Sequence, residues 1–438
     1  MLEFARVPHS RIGYYFGPEA PGQVPAGRWL GRGAEALGLS GRAVEHPALV
    51  SLLQGVDPLT GAVLDPQHAR VRIAAFDCMV STPKSISLLH ALGDAATSER
   101  VRRAHDASID ATLDYLERHA AGVRRGHAGR RRQPAQGLIA AAFGHETSRA
   151  NDPHLHSHVL VANLVSDRAG RWSGLHAMRL YASCSVADAL YLCQLRYELS
   201  QRLDVAFRRR PYGGLDLVGL SDGVLTAFSQ RHQQIEAEQA RARPGPRAGR
   251  IAAAATRPPK DASLDAGVRR EQWWERAYRL GVSESRLVAI APRDTVPGDR
   301  SRTASSSEET IREVIAAMPD AFTRGDALRA AALALVDGAP VAEVERGVEE
   351  ALAVVAVRDP DHPLVTAGTR PRDGRRIPVG VPEPLYVAAD RGTPGQGADG
   401  EARAHQIGRS ARSKRVVSMD GPPGGRDGRR GAEHTLGS

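Results

Sequence analysis

Four histidines crowd into one short stretch, at His145, His154, His156 and His158. Successive side chains of an extended strand point to opposite faces, so His154, His156 and His158 share a face. Ile139, Ala141, Phe143 and His145 share one on the run before it. If the two runs pair as neighbouring strands, His145 meets His156 and His158. Three neutral imidazoles about 2.0–2.1 Å from a divalent ion make a three-ligand site with positions left for substrate oxygens. The same spacing also suits a plain solvent-facing histidine strand. Two other residue types bear on that choice. Tyr14 and Tyr15 stand side by side near the chain start. A phenol becomes a nucleophile only when a carboxylate or a metal activates it; otherwise adjacent tyrosines are core packing. Asp77 closes the apolar run from Ile73. A carboxylate there is either a structural acceptor or a base and histidine orienter.

These side chains need a scaffold, and the apolar spacing outlines one. Gly137 to His145 reads as a buried strand and Leu155 to Leu164 as a second. The turn signal Asn151-Asp152-Pro153 lies between them, so an antiparallel pair is expected. Val101, His105, Ile109, Leu113 and Leu116 recur at helical spacing between Thr97 and Glu117. A second helix is expected over 185–203, and a third runs unbroken from about Asp222 to Ala242. Arg124 and Arg125 open a basic turn that ends at Arg130, Arg131 and Arg132. This turn is expected near the histidine strands, where it would either grip backbone phosphates or form a solvated hairpin tip. Lys84, in a Ser-Thr-Pro-Lys-Ser turn before a helix, suits a phosphate contact as well. Farther on, Gly338 ends one helix and Pro340 opens the next, whose inward face carries Val341, Val344, Val348 and Leu352. The expected organisation is a domain over 1–290, a polar linker over 291–309, a small helical segment over 310–387 and a disordered Gly/Arg/Pro-rich tail over 388–438.

Composition narrows the function classes. The 438 residues carry 59 Lys+Arg against 50 Asp+Glu, a net charge of +9, which favours an acidic partner such as nucleic acid. Only Lys84, Lys260 and Lys414 are lysines, and none follows a glycine. A P-loop needs Gly-Lys-Ser/Thr to reach the β/γ-phosphates, so an ATP-driven motor of that kind is excluded. No apolar run is long enough for a membrane span, and the first twenty residues lack an apolar signal core. The three cysteines fit a reducing compartment and form neither a disulfide framework nor a zinc-thiolate set.

The flanking residues resemble a known family. Arg28-Trp-Leu-Gly-Arg-Gly-Ala34, Leu37-Gly-Leu-Ser-Gly41, Gly55-Val-Asp-Pro58 and Phe76-Asp77 leading into Ser81–Ser87 are similar to the conjugative relaxases of the TrwC type. So are Phe143–Arg149, Asp152–His158 with Asn163, Gly170-Arg-Trp172, Phe228–Arg231 with Ile235, and Thr256–Lys260 before Trp273. The resemblance covers about residues 1–290. It implies an α+β fold of the HUH endonuclease superfamily, an antiparallel sheet flanked by helices with a helical C-terminal clamp over single-stranded DNA. It implies nicking of one plasmid strand at an origin of transfer through a 5′-phosphotyrosyl intermediate. Tyr14 would be the nucleophile and Tyr15 its substitute, with Asp77 assisting deprotonation. His145, His156 and His158 would hold the metal (Mg, Mn or Zn), with no ATP, while His154 falls at a variable position. Arg149, inside the matched motif, joins Lys84, Arg124 and Arg125 as a DNA-contact candidate. The expected partners are origin DNA, accessory nicking proteins, a coupling protein and a separate helicase, in the cytoplasm or carried with DNA into a recipient. Two departures stand out. No second tyrosine pair follows over Gly17–Arg28, and the chain turns low-complexity soon after a stretch at 306–356 that resembles the start of a helicase connector. A non-catalytic DNA-binding remnant and a rolling-circle replication initiator remain alternative readings.

Overall fold

A computed structural model describes residues 2–16, 27–210, 214–241, 248–257, 265–291, 304–318, 322–358, 365–369, 376–383 and 385–388. The central feature is a six-stranded sheet whose ladders are all antiparallel. Its strands are β1 (Leu2–Val7), β2 (Gly27–Leu30), β3 (Ala43–Val44), β4 (Ala75–Ser81), β7 (Ala140–Thr147) and β8 (Pro153–Ala162). They lie in the order β1-β4-β8-β7-β2-β3. A separate basic hairpin supplies β5 (Gly122–Arg125) and β6 (Arg131–Pro134). The two expected histidine strands therefore exist and pair, with bounds shifted by two or three residues.

Side-chain alternation divides the sheet into two faces. On the back, Phe76, Cys78, Val80, Ala140, Ala142, Leu155, Val159 and Val161 join one apolar core. Helices α4 (Ala95–His119) and α6 (Cys184–Leu203) cover it. Helix α4 begins where the Asp94 side chain accepts from the Thr97 amide, and it buries Val101, Ala104, Ile109, Leu113 and Leu116 at helical spacing. On the front, Trp29, Ala75, Ile139, Ala141, Leu160 and Ala162 pack beneath α1 (Arg32–Ala36) and α2 (His46–Leu53). The front of β8 thus changes character along its length, from imidazoles at one end to Leu160 and Ala162 at the other.

The C-terminal elements close the fold behind and beside the sheet. The helix expected as one piece over 222–242 is two, α7 (Asp222–Ala227) and α8 (Gln230–Arg241). Phe228 at the break is fully buried beneath the Arg276 guanidinium, and the Gln230 amide finds the Asp152 carboxylate as its acceptor. Helices α9 (Ala248–Ala255), α10 (Ala266–Arg279) and α11 (Glu284–Ile290) follow. Next come α12 (Ala304–Ala316), α13 (Arg324–Ala334) and α14 (Val341–Val355). Ile311, Ile315, Leu328, Val344 and Val348 from these last helices enter the same core as α4 and α6. The segment expected to be helical over 310–387 also contributes short strands, among them Ala356–Arg358 and Leu385–Ala388. Residues 292–303 of the expected linker and the expected tail from 389 onward lie outside the described residues. Among the described residues no helix is long and apolar enough to cross a membrane.

Candidate active site

The antiparallel register places His145 directly opposite His156, and Met79 opposite His158. Three imidazoles converge. Ring centroids are 5.3 Å apart for His145 and His156, 5.4 Å for His145 and His158, and 5.5 Å for His156 and His158. An ion about 2.0–2.1 Å from a nitrogen of each ring in tetrahedral arrangement would hold the ring centres roughly 5 Å apart. Among the described residues no three His, Cys, Asp or Glu groups are already closed into a metal-holding arrangement. The ring-centre spacing of 5.3–5.5 Å is nonetheless that of three imidazoles around one ion.

Hydrogen bonds set which nitrogens are presented. His156 Nδ1 donates to the His154 carbonyl at 2.8 Å. His158 Nδ1 donates to the Asp77 carboxylate at 2.8 and 3.0 Å. Neither acceptor can donate back, so it is Nε2 of each ring that is left to face a ligand. Burial, with His154 beside it, holds His156 well below its usual pKa, which keeps it the neutral imidazole a metal requires. His154 stacks on His156 at 4.6 Å, and burial with Lys84 nearby depresses it to about 3.

Asp77 sits on the sheet's front, mostly buried, with both oxygens on His158. Of its two open roles, the contact seen is that of histidine orienter. Tyr14 and Tyr15 fall in the 3-10 segment His9–Phe16, with one residue between them and Ile12, which is buried in the front core. Their side chains lie outside the described residues.

The four DNA-contact candidates separate. Arg149 lies in the turn joining the two histidine strands. Lys84 opens helix α3 (Lys84–Leu92), but its Nζ donates to the Pro153 carbonyl at 2.6 Å, and burial lowers its pKa to about 8. Arg124 and Arg125 stand on the β5–β6 hairpin. Their hairpin is a sheet of its own beside the segment that follows β8, and the Ala140–Val161 end of the ladder is about 16 Å from the His145–His156 pair. Main-chain bonds from Gln136 to Ser166 and from His176 to Gly122 hold it there. The Arg125 guanidinium is engaged by Asp167, Ser173 and the Arg171 carbonyl, and Arg124 meets His176 at 2.9 Å. Sequence spacing could not show this, because it does not reveal which end of a ladder a hairpin stands beside.

Two features of the site went unread in the sequence. Asp152 reads only as a turn residue, yet it is fully buried and binds side chains roughly 80 and 120 residues away. His105 reads as a core position of α4, yet its Nε2 meets Ser157 Oγ at 2.9 Å, between the two β8 imidazoles in sequence and on the opposite face.

The antiparallel sheet flanked by helices, with an imidazole triangle backed by a carboxylate, agrees with the relaxase class that the family model and the solved structures name. The chain belongs to the TrwC relaxase family, whose model matches residues 4–280. Among solved structures, conjugative relaxase TrwC in complex with oriT DNA is similar in a copper-bound form, at 28% identity and a TM-score of 0.58. A metal-bound form matches at 29% identity and a TM-score of 0.58. Each match covers 65% of this chain and 100% of the solved one. Among curated proteins, the multifunctional conjugation protein TraI of Escherichia coli is 27% identical over 348 residues, which is 74% of this chain and 19% of TraI.

Proposed function

We propose that this chain cuts and rejoins one DNA strand at an origin of transfer through a covalent tyrosyl intermediate, with a divalent metal held by His145, His156 and His158. The observation that carries the reading is the triangle of imidazoles 5.3–5.5 Å apart with Asp77 behind His158, in a chain of the TrwC family. TrwC solved with oriT DNA and with bound metal supports both the substrate and the cofactor.

The chemistry follows from the residue types. The Tyr14 oxygen attacks the scissile phosphorus, the P–O3′ bond breaks, and the 3′ oxygen leaves to become a free hydroxyl. Asp77 orients His158 and assists removal of the phenol proton. His145, His156 and His158 would hold a divalent ion, which when bound would supply polarisation of a phosphate oxygen. The phosphotyrosyl ester conserves the energy of the broken linkage, so attack by a 3′ hydroxyl reverses the step without ATP. Tyr15 stands in for Tyr14 in a second cleavage. Arg149 grips phosphates beside the triangle, and Arg124 does so at the far end of the ladder. In this reading residues 1–290 carry the nicking function. A separate helicase, a coupling protein and accessory nicking proteins complete the transfer from the cytoplasm.

The test is incubation with single-stranded origin DNA and Mn²⁺ or Mg²⁺, followed by denaturing electrophoresis. A covalent protein–DNA adduct is expected from the native chain, and none from the Tyr14→Phe, Tyr15→Phe double variant. No adduct from the native chain, or an undiminished one from the double variant, overturns the mechanism.

A further inference from the structure

The turn between the two histidine strands is held from outside the sheet. Within the turn, the Ser148 amide donates to the Asp152 carbonyl at 2.9 Å, and the Ser148 hydroxyl accepts from the Ala150 and Asp152 amides. Asn151 takes a left-handed backbone with φ 55°. Around it, the Asp152 carboxylate accepts from the Gln230 amide at 2.8 Å, from Gln230 Nε2 at 3.1 Å and from Arg276 at 3.0 Å. Trp273 Nε1 donates to the Asn151 carbonyl at 2.7 Å, and Lys84 Nζ to the Pro153 carbonyl at 2.6 Å. Three helices, α3, α8 and α10, thus converge on Asn151, Asp152 and Pro153, where the turn enters β8. His145 lies three positions before Ser148, and His156 four positions after Asp152. The β7–β8 register also shifts between His145 and Thr147, so the ladder itself is irregular where it must place the pair.

We infer that Asp152 is a positioning residue for the imidazole triangle, and that Arg276 and Gln230 act on the triangle through it. The inference rests on the metal reading above. A two-strand ladder fixes spacing across the strands, but at an irregular register the turn decides how far one strand end slides past the other. A buried carboxylate holding three donors resists such sliding, because moving it would leave a desolvated charge unpaired. Helices α8 and α10 therefore contribute to metal affinity without touching the metal. If Asp152 serves only to anchor those helices, its loss changes stability and leaves the metal affinity of the folded chain alone.

The experiment is calorimetric titration of the full chain with Mn²⁺ alone, without DNA. The native chain should bind one equivalent, lost in His156→Ala. Asp152→Asn and Arg276→Leu should each bind Mn²⁺ at least tenfold more weakly while keeping a native circular dichroism spectrum, and Arg276→Lys should recover part of the loss. Nicking by these variants should be restored by raising Mn²⁺, which a purely structural defect would not allow. Should Asp152→Asn fail to fold, Arg276→Leu removes one of the same bonds from the outer side. Folded Asp152→Asn or Arg276→Leu that binds Mn²⁺ within twofold of the native chain overturns the inference and leaves the nicking mechanism standing. A native chain that binds no Mn²⁺ overturns the metal triangle, and this inference with it.

Discussion

At the scale of single residues, the front and back of β8 carry different polar chemistry. On the front, Nδ1 bonds to a carbonyl and a carboxylate aim His156 and His158, and burial keeps His156 neutral. On the back, the residue between them, Ser157, meets His105, whose Nδ1 lies 2.7 Å from the Tyr191 hydroxyl. His105 is completely enclosed, and burial lowers its pKa to about 3. An ordinary histidine takes its proton near pH 6.5 once the chain unfolds. Between those values the unfolded chain binds a proton that the folded chain refuses, so stability falls as pH drops from about 6.5 toward 3. Urea unfolding at pH 7 and pH 5 should show this loss in the native chain. His105→Gln, which keeps a donor and an acceptor but cannot titrate, should show a smaller loss over the same interval.

At the scale of elements, helix ends are satisfied by partners far away in sequence. The last carbonyls of α13 have no intrahelical donors, and arginines from the body of the fold serve them. Arg196 donates to Ala332 and Leu335, and Arg209 to Leu333 and Ala334. The α14 amide of Val341 donates to Gln194, and Glu345 one turn later binds Arg118 and His119 of α4. Gly338 makes this docking possible. Its φ is +79°, and a Cβ there would lie 2.1 Å from the Cys193 carbonyl oxygen of α6. Alanine must both strain the backbone and push the helices apart. Gly338→Ala should therefore cost about 2 kcal/mol or more, seen as a lower midpoint in thermal unfolding. Gly170→Ala, at a similar φ but with open space around it, should cost less.

At the scale of the whole molecule, the positive charge is spread unequally in function. DNA affinity should fall as salt rises, with each phosphate contact on a single strand contributing about 0.7 to the slope of log affinity against log salt. Arg124, exposed on its hairpin, should lower that slope by about one contact when changed to alanine. Arg125, whose guanidinium is enclosed by Asp167, Ser173 and Arg171, should leave the slope unchanged when replaced and lower the thermal midpoint instead. Fluorescence anisotropy across a sodium chloride series separates the two outcomes. Equal slopes for Arg124→Ala and the native chain would remove the hairpin from the DNA-contact surface.

Local pattern alone determined the strands that bear His145, His156 and His158, their antiparallel pairing, the helices of the back layer and the family. All of these depend on periodicity or on short runs of residue types, which a chain displays without being folded. The sequence did not reveal that one helix over 222–242 would break at Phe228, because the break is made by a buried ring and by Asp152 from the distant turn between β7 and β8. Nor could it place the Arg124–Arg125 hairpin at the far end of the ladder, since charge density carries no information about topology. The sequence also left Asp77 open between acceptor and histidine orienter, and only the packed sheet set its carboxylate on His158. Hydrogen bonds between residues 80 or more apart exist only once the core has formed, so the aim of His158 by Asp77 belongs to the tertiary structure.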